Sequence, residues 1–284
     1  MVEPPETPLP GTRSALEPDR AIKPGRHGLA PEAVAAIQRD RLIDAFVQVI
    51  AERGYAGATI GRITEAAGVT KKTFYSHFTD LDDCFLAAYE RGTAIVLSGM
   101  AAAFGAEPTW PDGIRAALRT VLSMLAAAPP FARMAMVEVN AAGPRVRRAR
   151  IECMERFRAF LAGPPPGPGE TAVPTVVADA VVGGVYSTIY VHIENGETTR
   201  LPELLPQLTY FALMPLVGRR EAARYRDACT SHSDAAALTA VRERESEAAV
   251  RAPGAEGVSE LGGEAAVREH ESETAVRERE SERA

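Results

Sequence analysis

The stretch Thr59–Phe78, TIGRITEAAGVTKKTFYSHF, constrains this chain more than any other. Thr59 and Thr70 stand where helix N-caps belong, each before a short run of helix formers. Gly68 lies between the runs and can take the left-handed backbone that ends a helix at little steric cost. The pattern predicts a helix over 60–67, a tight turn, and a second helix over 70–78. Two short helices joined this way pack at a steep angle. Ile63, Val69, Phe74 and Phe78 fall on one side and are candidates for burial against the preceding helix. Lys72, Tyr75 and Ser76 fall on the other, with Lys71 and Thr73 on its flanks. That side pairs cations, hydroxyls and a phenol with no carboxylate. A helix of this width fits the DNA major groove, and its N-terminus favours phosphate.

The rest of the chain reads as helix. Ile43, Phe46, Val47 and Ile50 follow helical spacing in a segment from Pro31 to Arg53, which Gly54 ends. Another helix starts near Asp80, with Leu81, Cys84, Phe85 and Ala88 on one face. Ile114, Ala117, Leu118, Val121, Leu122 and Leu125 form a single apolar stripe. A helix from Pro130 to Gly143 and one carrying Cys153, Phe157, Phe160 and Leu161 come next. A proline- and glycine-rich loop covers 162–174. Long apolar helices over 175–194 and from Pro202 to Val217 complete the series. No segment alternates with the period of two that marks a half-buried strand. The fold class is all-α: an N-terminal three-helix, helix-turn-helix DNA-binding domain, then a C-terminal helical bundle.

Four regions are expected. Residues 1–30 read as a disordered basic arm, 31–90 as the helix-turn-helix domain, 91–228 as a second helical domain, and 229–284 as a disordered acidic tail. The tail holds a degenerate nine-residue repeat (TAVRERESE) with no aromatic residue. In its two adjacent copies that period puts Val267 and Val276 on opposite faces of any helix, so no apolar stripe forms.

Charge follows the same division. The chain carries a formal net charge of −6, yet residues 20–79 hold nine Lys and Arg against five carboxylates. The excess acid sits in residues 239–284, where twelve Glu face seven Arg. A locally basic head on an acidic protein is compatible with a nucleic-acid partner. A second basic run, Arg145, Arg147, Arg148 and Arg150, reads as a helix surface.

Several classes are set aside. Three scattered cysteines cannot frame a disulfide scaffold and suit a reducing compartment. No 18-residue apolar stretch lacks a charge, so no membrane partner is expected. The start lacks the basic and apolar regions of a secretory signal, so the expected location is the cytoplasm. No nucleophile, phosphate-loop or metal-ligand motif is present, so the chain is expected to be no enzyme and to hold no cofactor or metal.

The residues Thr59, Ala66-Ala67-Gly68-Val69, Phe74-Tyr75-Ser76-His77-Phe78 and Asp82-Asp83-Cys84-Phe85 closely resemble the DNA-binding domain of TetR-family transcriptional regulators. The resemblance covers about residues 36–90. It implies DNA contacts at Thr59, Thr70, Lys71, Lys72, Thr73, Tyr75 and His77, with Thr59, Tyr75 and His77 on phosphates. Two positions depart from it: Thr64 stands where the family has a packing alanine, and Leu81 where it commonly has a phosphate-touching lysine.

The resemblance further implies a helical effector domain whose last two long helices pair across a two-fold axis. Two helices as apolar as 175–194 and 202–217 need cover that a second copy supplies. Candidates for a ligand pocket are Phe104, Trp110, Leu125, Phe131, Met134, Glu138, Phe157, Phe160, Tyr186, Tyr190 and His192. The implied function is a homodimeric, sequence-specific repressor of transcription that binds a palindromic operator in double-stranded DNA and is released by a small-molecule effector. The alternative is a helical interaction or scaffold protein whose three-helix head is structural.

Overall fold

The structure is a computed structural model describing residues 8–17, 30–161 and 173–228. Among these residues every regular element is helical.

Helix α1 spans Pro31–Gly57, with a break at Gly54 (φ +69°) where the sequence predicts a stop. It buries Leu42, Ile43, Phe46, Val47 and Ile50 completely. Helix α2 spans Ile60–Ala67, and the Thr59 hydroxyl accepts the Arg62 N–H at its start. Gly68 is left-handed (φ +61°). Arg41 donates to the Ala67 carbonyl at 2.6 Å, satisfying an acceptor that the end of α2 leaves open. Helix α3 spans Lys71–His77, capped by the Thr70 hydroxyl on the Thr73 N–H. Helix α4 spans Leu81–Gly105, capped by the Asp80 carboxylate on the Asp83 N–H. Phe46 meets Phe85 edge-on at 5.7 Å, and Phe74 packs on Phe78 at 5.6 Å, closing a small aromatic core beneath the turn.

The expected boundary between residues 90 and 91 falls inside α4, which runs unbroken from the head into the C-terminal bundle. That bundle comprises α5 (Trp110–Ala127), α6 (Pro129–Met136), α7 (Pro144–Ala159), α8 (Thr175–Glu194), α9 (Leu205–Val217) and α10 (Arg219–Ala228). Helix α4 packs along α5, α7 and the middle of α1, and α6 bridges α1 and α8. At Gly92 the α4 backbone presses directly on Phe131 of α6, where a Cβ would lie 2.0 Å from the ring.

Several expectations need correction. Residues 8–17 belong to no disordered arm; they form an ordered strap on α1. The Gly11 N–H donates to Asp44 at 2.7 Å, and Gln48 donates to the Gly11 and Arg13 carbonyls. Leu9 and Ala15 are buried. The strap's order comes from backbone groups meeting a buried carboxylate, which no local apolar pattern reveals. Residues 1–7, the basic segment 18–29 and the tail 229–284 lie outside the described residues. The helix expected to open at Pro202 begins at Leu205, because Thr198–Leu204 forms tighter 3-10 turns. It also does not finish the fold: Gly218 (φ +84°) breaks the chain and α10 follows. Helix α8 is long and apolar enough by length and composition to cross a membrane, although, as the sequence expectation has it, no 18-residue stretch of it lacks a charge. Asp179 in its second turn is ion-paired with Arg158 of α7 at 3.0 Å, and Ala178, Val181, Ile189 and Ile193 are buried within this chain.

Candidate nucleic-acid interface and effector cavity

The outer face of α3 matches the arrangement predicted from its sequence. Lys71, Lys72 and Ser76 are exposed, and Tyr75 is 59% exposed. Phe74 is fully buried on the opposite side, so packing fixes which face looks outward. Thr70 and Thr73 join their hydroxyls at 3.0 Å across the first turn. Ser76 donates back to the Thr73 carbonyl at 2.7 Å. The stem of Lys71 lies close to Gly61 of α2, so the lysine rises between the two helices. Thr59 sits exposed at the N-terminus of α2, beside Arg62. No carboxylate lies on α3. The next ones along the chain, Asp80, Asp82 and Asp83, are engaged by Arg145, by the Tyr55 hydroxyl and by the Thr79 amide.

His77 closes this face. Its Nε2 is buried with no hydrogen-bond partner among the described residues. Burial, and then the Arg39 guanidinium nearby, push its pKa below the ordinary imidazole value. His77 is therefore neutral at pH 7. Thr64, at the position of the family's packing alanine, is buried, and its hydroxyl donates to the Ile60 and Gly61 carbonyls. The extra oxygen is satisfied within α2, so threonine fits. Leu81 is half-buried and packs against the core, so no cation stands at the head of α4.

The C-terminal bundle forms a partly open apolar cavity of about 90 Å³. Helices α4, α5, α7, α8 and α9 contribute Met100, Ile114, Met154, Phe157, Val185 and Ala212, among others. Of the expected pocket residues, Leu125, Phe157, Phe160 and Tyr186 line it. The Tyr186 hydroxyl is already used: it donates to the Met136 carbonyl at 2.8 Å. Phe104 and Trp110 line a separate open hollow, which shares only Phe160 with the cavity. The Trp110 indole donates to the Phe160 carbonyl at 3.1 Å.

The other candidates have different roles. Phe131 and Met134 are fully buried packing residues, Phe131 clamped on α4 at Gly92. Glu138 accepts the Tyr55 N–H at 2.9 Å and pairs with Arg133 at 3.4 Å. Tyr190 donates to Glu194, and His192 bonds the Thr188 carbonyl on its own helix. Apolar helical spacing alone does not separate a residue facing a void from one facing a packed neighbour. That is why Met100, Ile114, Met136, Met154, Val181 and Val185 were missed.

An engineered cavity of about 150 Å³ holds one benzene. The present volume is smaller, so a longer ligand requires rearrangement of the lining. Met100, Met136 and Met154 suit that role, since methionine side chains are unbranched and adaptable.

A polar cluster connects head and bundle. The Tyr55 hydroxyl, just past the break in α1, donates to Asp82 of α4. The same carboxylate oxygen accepts the Gly143 N–H at 3.3 Å, immediately before α7. Arg145, the second residue of α7, grips Asp80 through both carboxylate oxygens at 2.9 and 3.0 Å. Burial, and then the bond to Asp82, hold the Tyr55 phenol protonated. Gly143 allows the approach, because a Cβ there would lie 1.8 Å from Asp82. Helix α7 thus touches the start of α4 at one end and the cavity, through Met154 and Phe157, farther along. Arg145, expected on a helix surface, has its partner sixty-five residues away.

These features define a helical protein with a helix-turn-helix head and a C-terminal helical bundle. Residues 42–88 match the family of bacterial regulatory proteins, tetR family. A fatty acid metabolism regulator protein of Bacillus subtilis (strain 168) is 24% identical over 123 residues. That match covers 43% of this chain and 63% of the relative's length. The fold is similar to that of the fatty acid degradation regulator FadR of Bacillus halodurans, with TM-score 0.56 and 18% identity. The similarity covers 68% of this chain and all of that one. It is also similar to FadR of Bacillus subtilis in complex with stearoyl-CoA, with TM-score 0.53 and 19% identity over 61% of this chain and 96% of the other.

Proposed function

We propose that this protein is a homodimeric repressor of transcription that reads a palindromic operator with α3 and is released by a ligand with a long apolar chain. The observation carrying the first part is the outer face of α3: Lys71, Lys72, Thr73 and Tyr75 stand clear of the core, with no carboxylate among them. Lysine donates to guanine O6 and N7, while the threonine and tyrosine hydroxyls suit phosphates. Thr59, Thr70 and His77 border that face. A protein of this kind works on DNA in the bacterial cytoplasm.

Support for a dimer comes from the outer sides of α8 and α9. Val176 (72% exposed) and Val191 on α8, and Phe211 and Met214 on α9, leave large apolar side chains exposed. Exposed apolar side chains on packed helices suit an interaction surface. A two-fold axis through it would set two α3 helices on half-sites one turn, about 34–36 Å, or a multiple apart.

Support for the ligand class comes from the cavity, whose lining is almost wholly apolar and rich in methionine. The FadR structure holding stearoyl-CoA shares this fold. In this reading the ligand enlarges the cavity, shifts α7, and through Asp80 and Asp82 moves α4 and the head. Shifting the dimer from almost wholly competent to almost wholly incompetent requires a differential affinity of about 5.5 kcal/mol.

The test is fluorescence anisotropy on DNA from upstream of the gene, and on a site selected from random sequence, across a salt series. The reading expects affinity for the selected site at least about 10³-fold above scrambled DNA, with a salt slope reporting several phosphates. Binding blind to sequence at every salt concentration would contradict it.

A further inference from the structure

Helix α7 carries a cation at the Tyr186 side of the cavity that has no counter-charge among the described residues. The guanidinium of Arg150 lies over the Tyr186 ring, 5.4 Å from its centroid. Its Nε is buried and has no hydrogen-bond partner among the described residues. Three other arginines of the helix are engaged. Arg145 holds Asp80, Arg158 holds Asp179, and Arg147 donates to the Ala142 carbonyl at 2.7 Å. A buried guanidinium donor left without an acceptor is costly, and such a group is a natural partner for an anion.

Its position ties it to the cavity. Tyr186 lines the cavity, and so do Met154, one helical turn beyond Arg150, and Phe157 after it. The Tyr186 hydroxyl is committed to the Met136 carbonyl. Arg150 is thus the cation next to a lining that is otherwise apolar at this end.

We propose that Arg150 is the anion anchor of the effector site. The ligand is an apolar chain ending in an acidic head, with the chain against Met154 and Phe157 and the head on the Arg150 guanidinium beside Tyr186. This rests on the reading that the cavity takes an apolar ligand. The head is a carboxylate of a free fatty acid or a phosphate of a thioester carrier; a guanidinium binds either one through paired N–H donors.

The test is isothermal titration calorimetry of the full-length protein with dodecanoate, dodecanol and lauroyl-CoA. It is repeated with Arg150→Gln and Arg150→Lys, each checked for folding by thermal melting. Wild type is expected to bind at least one anionic chain tenfold or more tighter than dodecanol. Arg150→Gln should bring that ratio within threefold while leaving dodecanol affinity unchanged. Arg150→Lys, which keeps the charge but loses the fork, should fall between. An effect confined to dodecanoate assigns the carboxylate, and one confined to lauroyl-CoA assigns the phosphate. Equal affinity of wild type for charged and neutral chains, or an anionic affinity untouched by Arg150→Gln, overturns the anchor and leaves the apolar site standing. Failure of all three probes to bind wild type overturns the apolar site, and the anchor with it.

Discussion

Replacing Asp82 by alanine removes the residue that joins three parts of the molecule: the end of α1, the start of α4 and the approach to α7. Two bonds are lost. The stronger is the charge-assisted bond from the Tyr55 hydroxyl; the weaker is the Gly143 N–H contact at 3.3 Å. A hydrogen bond to a charged group contributes about 1.5–3 kcal/mol net. Tyr55 is half-exposed, so water replaces part of the bond, and the lower end applies. Asp82 also lies in the first turn of α4, where a negative charge adds some tenths of a kcal/mol. The expected total is about 2 kcal/mol, which lowers the melting temperature by about 4–8 °C in a chain of this size. Tyr55→Phe alone should cost about 1 kcal/mol, and should cost almost nothing once Asp82 is alanine. Urea unfolding of the wild type, both single variants and the double variant gives the coupling energy directly. Additive effects within about 0.3–0.5 kcal/mol would refute the link.

Further outcomes follow from other parts of the structure. Lys72→Ala should weaken operator binding by about 1–3 kcal/mol and relax specificity at one base pair, and Tyr75→Phe should weaken binding across sequences by about 1 kcal/mol, neither changing the oligomeric state; anisotropy and sedimentation read both. His77 is depressed in the free protein by burial and Arg39, so the unfolded chain binds the extra proton, and the His77 contribution to stability is present above about pH 6.5 and declines below it. A phosphate at His77 would raise its pKa again, so operator affinity should increase from pH 7.5 to 6, by at most about tenfold per pH unit, and His77→Gln should flatten that profile. Gly11→Val should detach the strap, since Gly11 has φ +80° and its Cβ would lie 2.4 Å from Val47; a loss of about 2 kcal/mol is expected in chemical unfolding, and an unchanged midpoint would show that the strap adds nothing to stability.

The head was legible because its signals are local. Thr59, Gly68 and Thr70 each determine backbone within a few residues of themselves, and the buried Phe74 follows from helical spacing. The exposed face of α3 then follows by exclusion. The parts that escaped depend on contacts distant in sequence. The strap is ordered by a Gly11 amide meeting Asp44, thirty-three residues on. The cluster at Asp82 joins Tyr55, twenty-seven residues before it, to Gly143, sixty-one after. The cavity shows a different limit. Phe131 and Phe157 look alike as aromatic residues on apolar helix faces, yet Gly92 lets α4 close on the first, while α5, α7 and α8 leave space beside the second. Glu138, Tyr190 and His192 were polar residues on otherwise apolar helices; each is occupied by a neighbouring group of the protein.

In the proposed function the cavity and α3 are two ends of one switch. The most direct measurement is operator anisotropy at fixed protein concentration during titration with lauroyl-CoA, with calorimetry on the same samples to establish saturation. The account predicts operator affinity at least tenfold weaker at saturation and, by linkage, ligand affinity weakened by the same factor when operator is bound. Unchanged operator affinity at a ligand concentration that calorimetry shows to be saturating would contradict it.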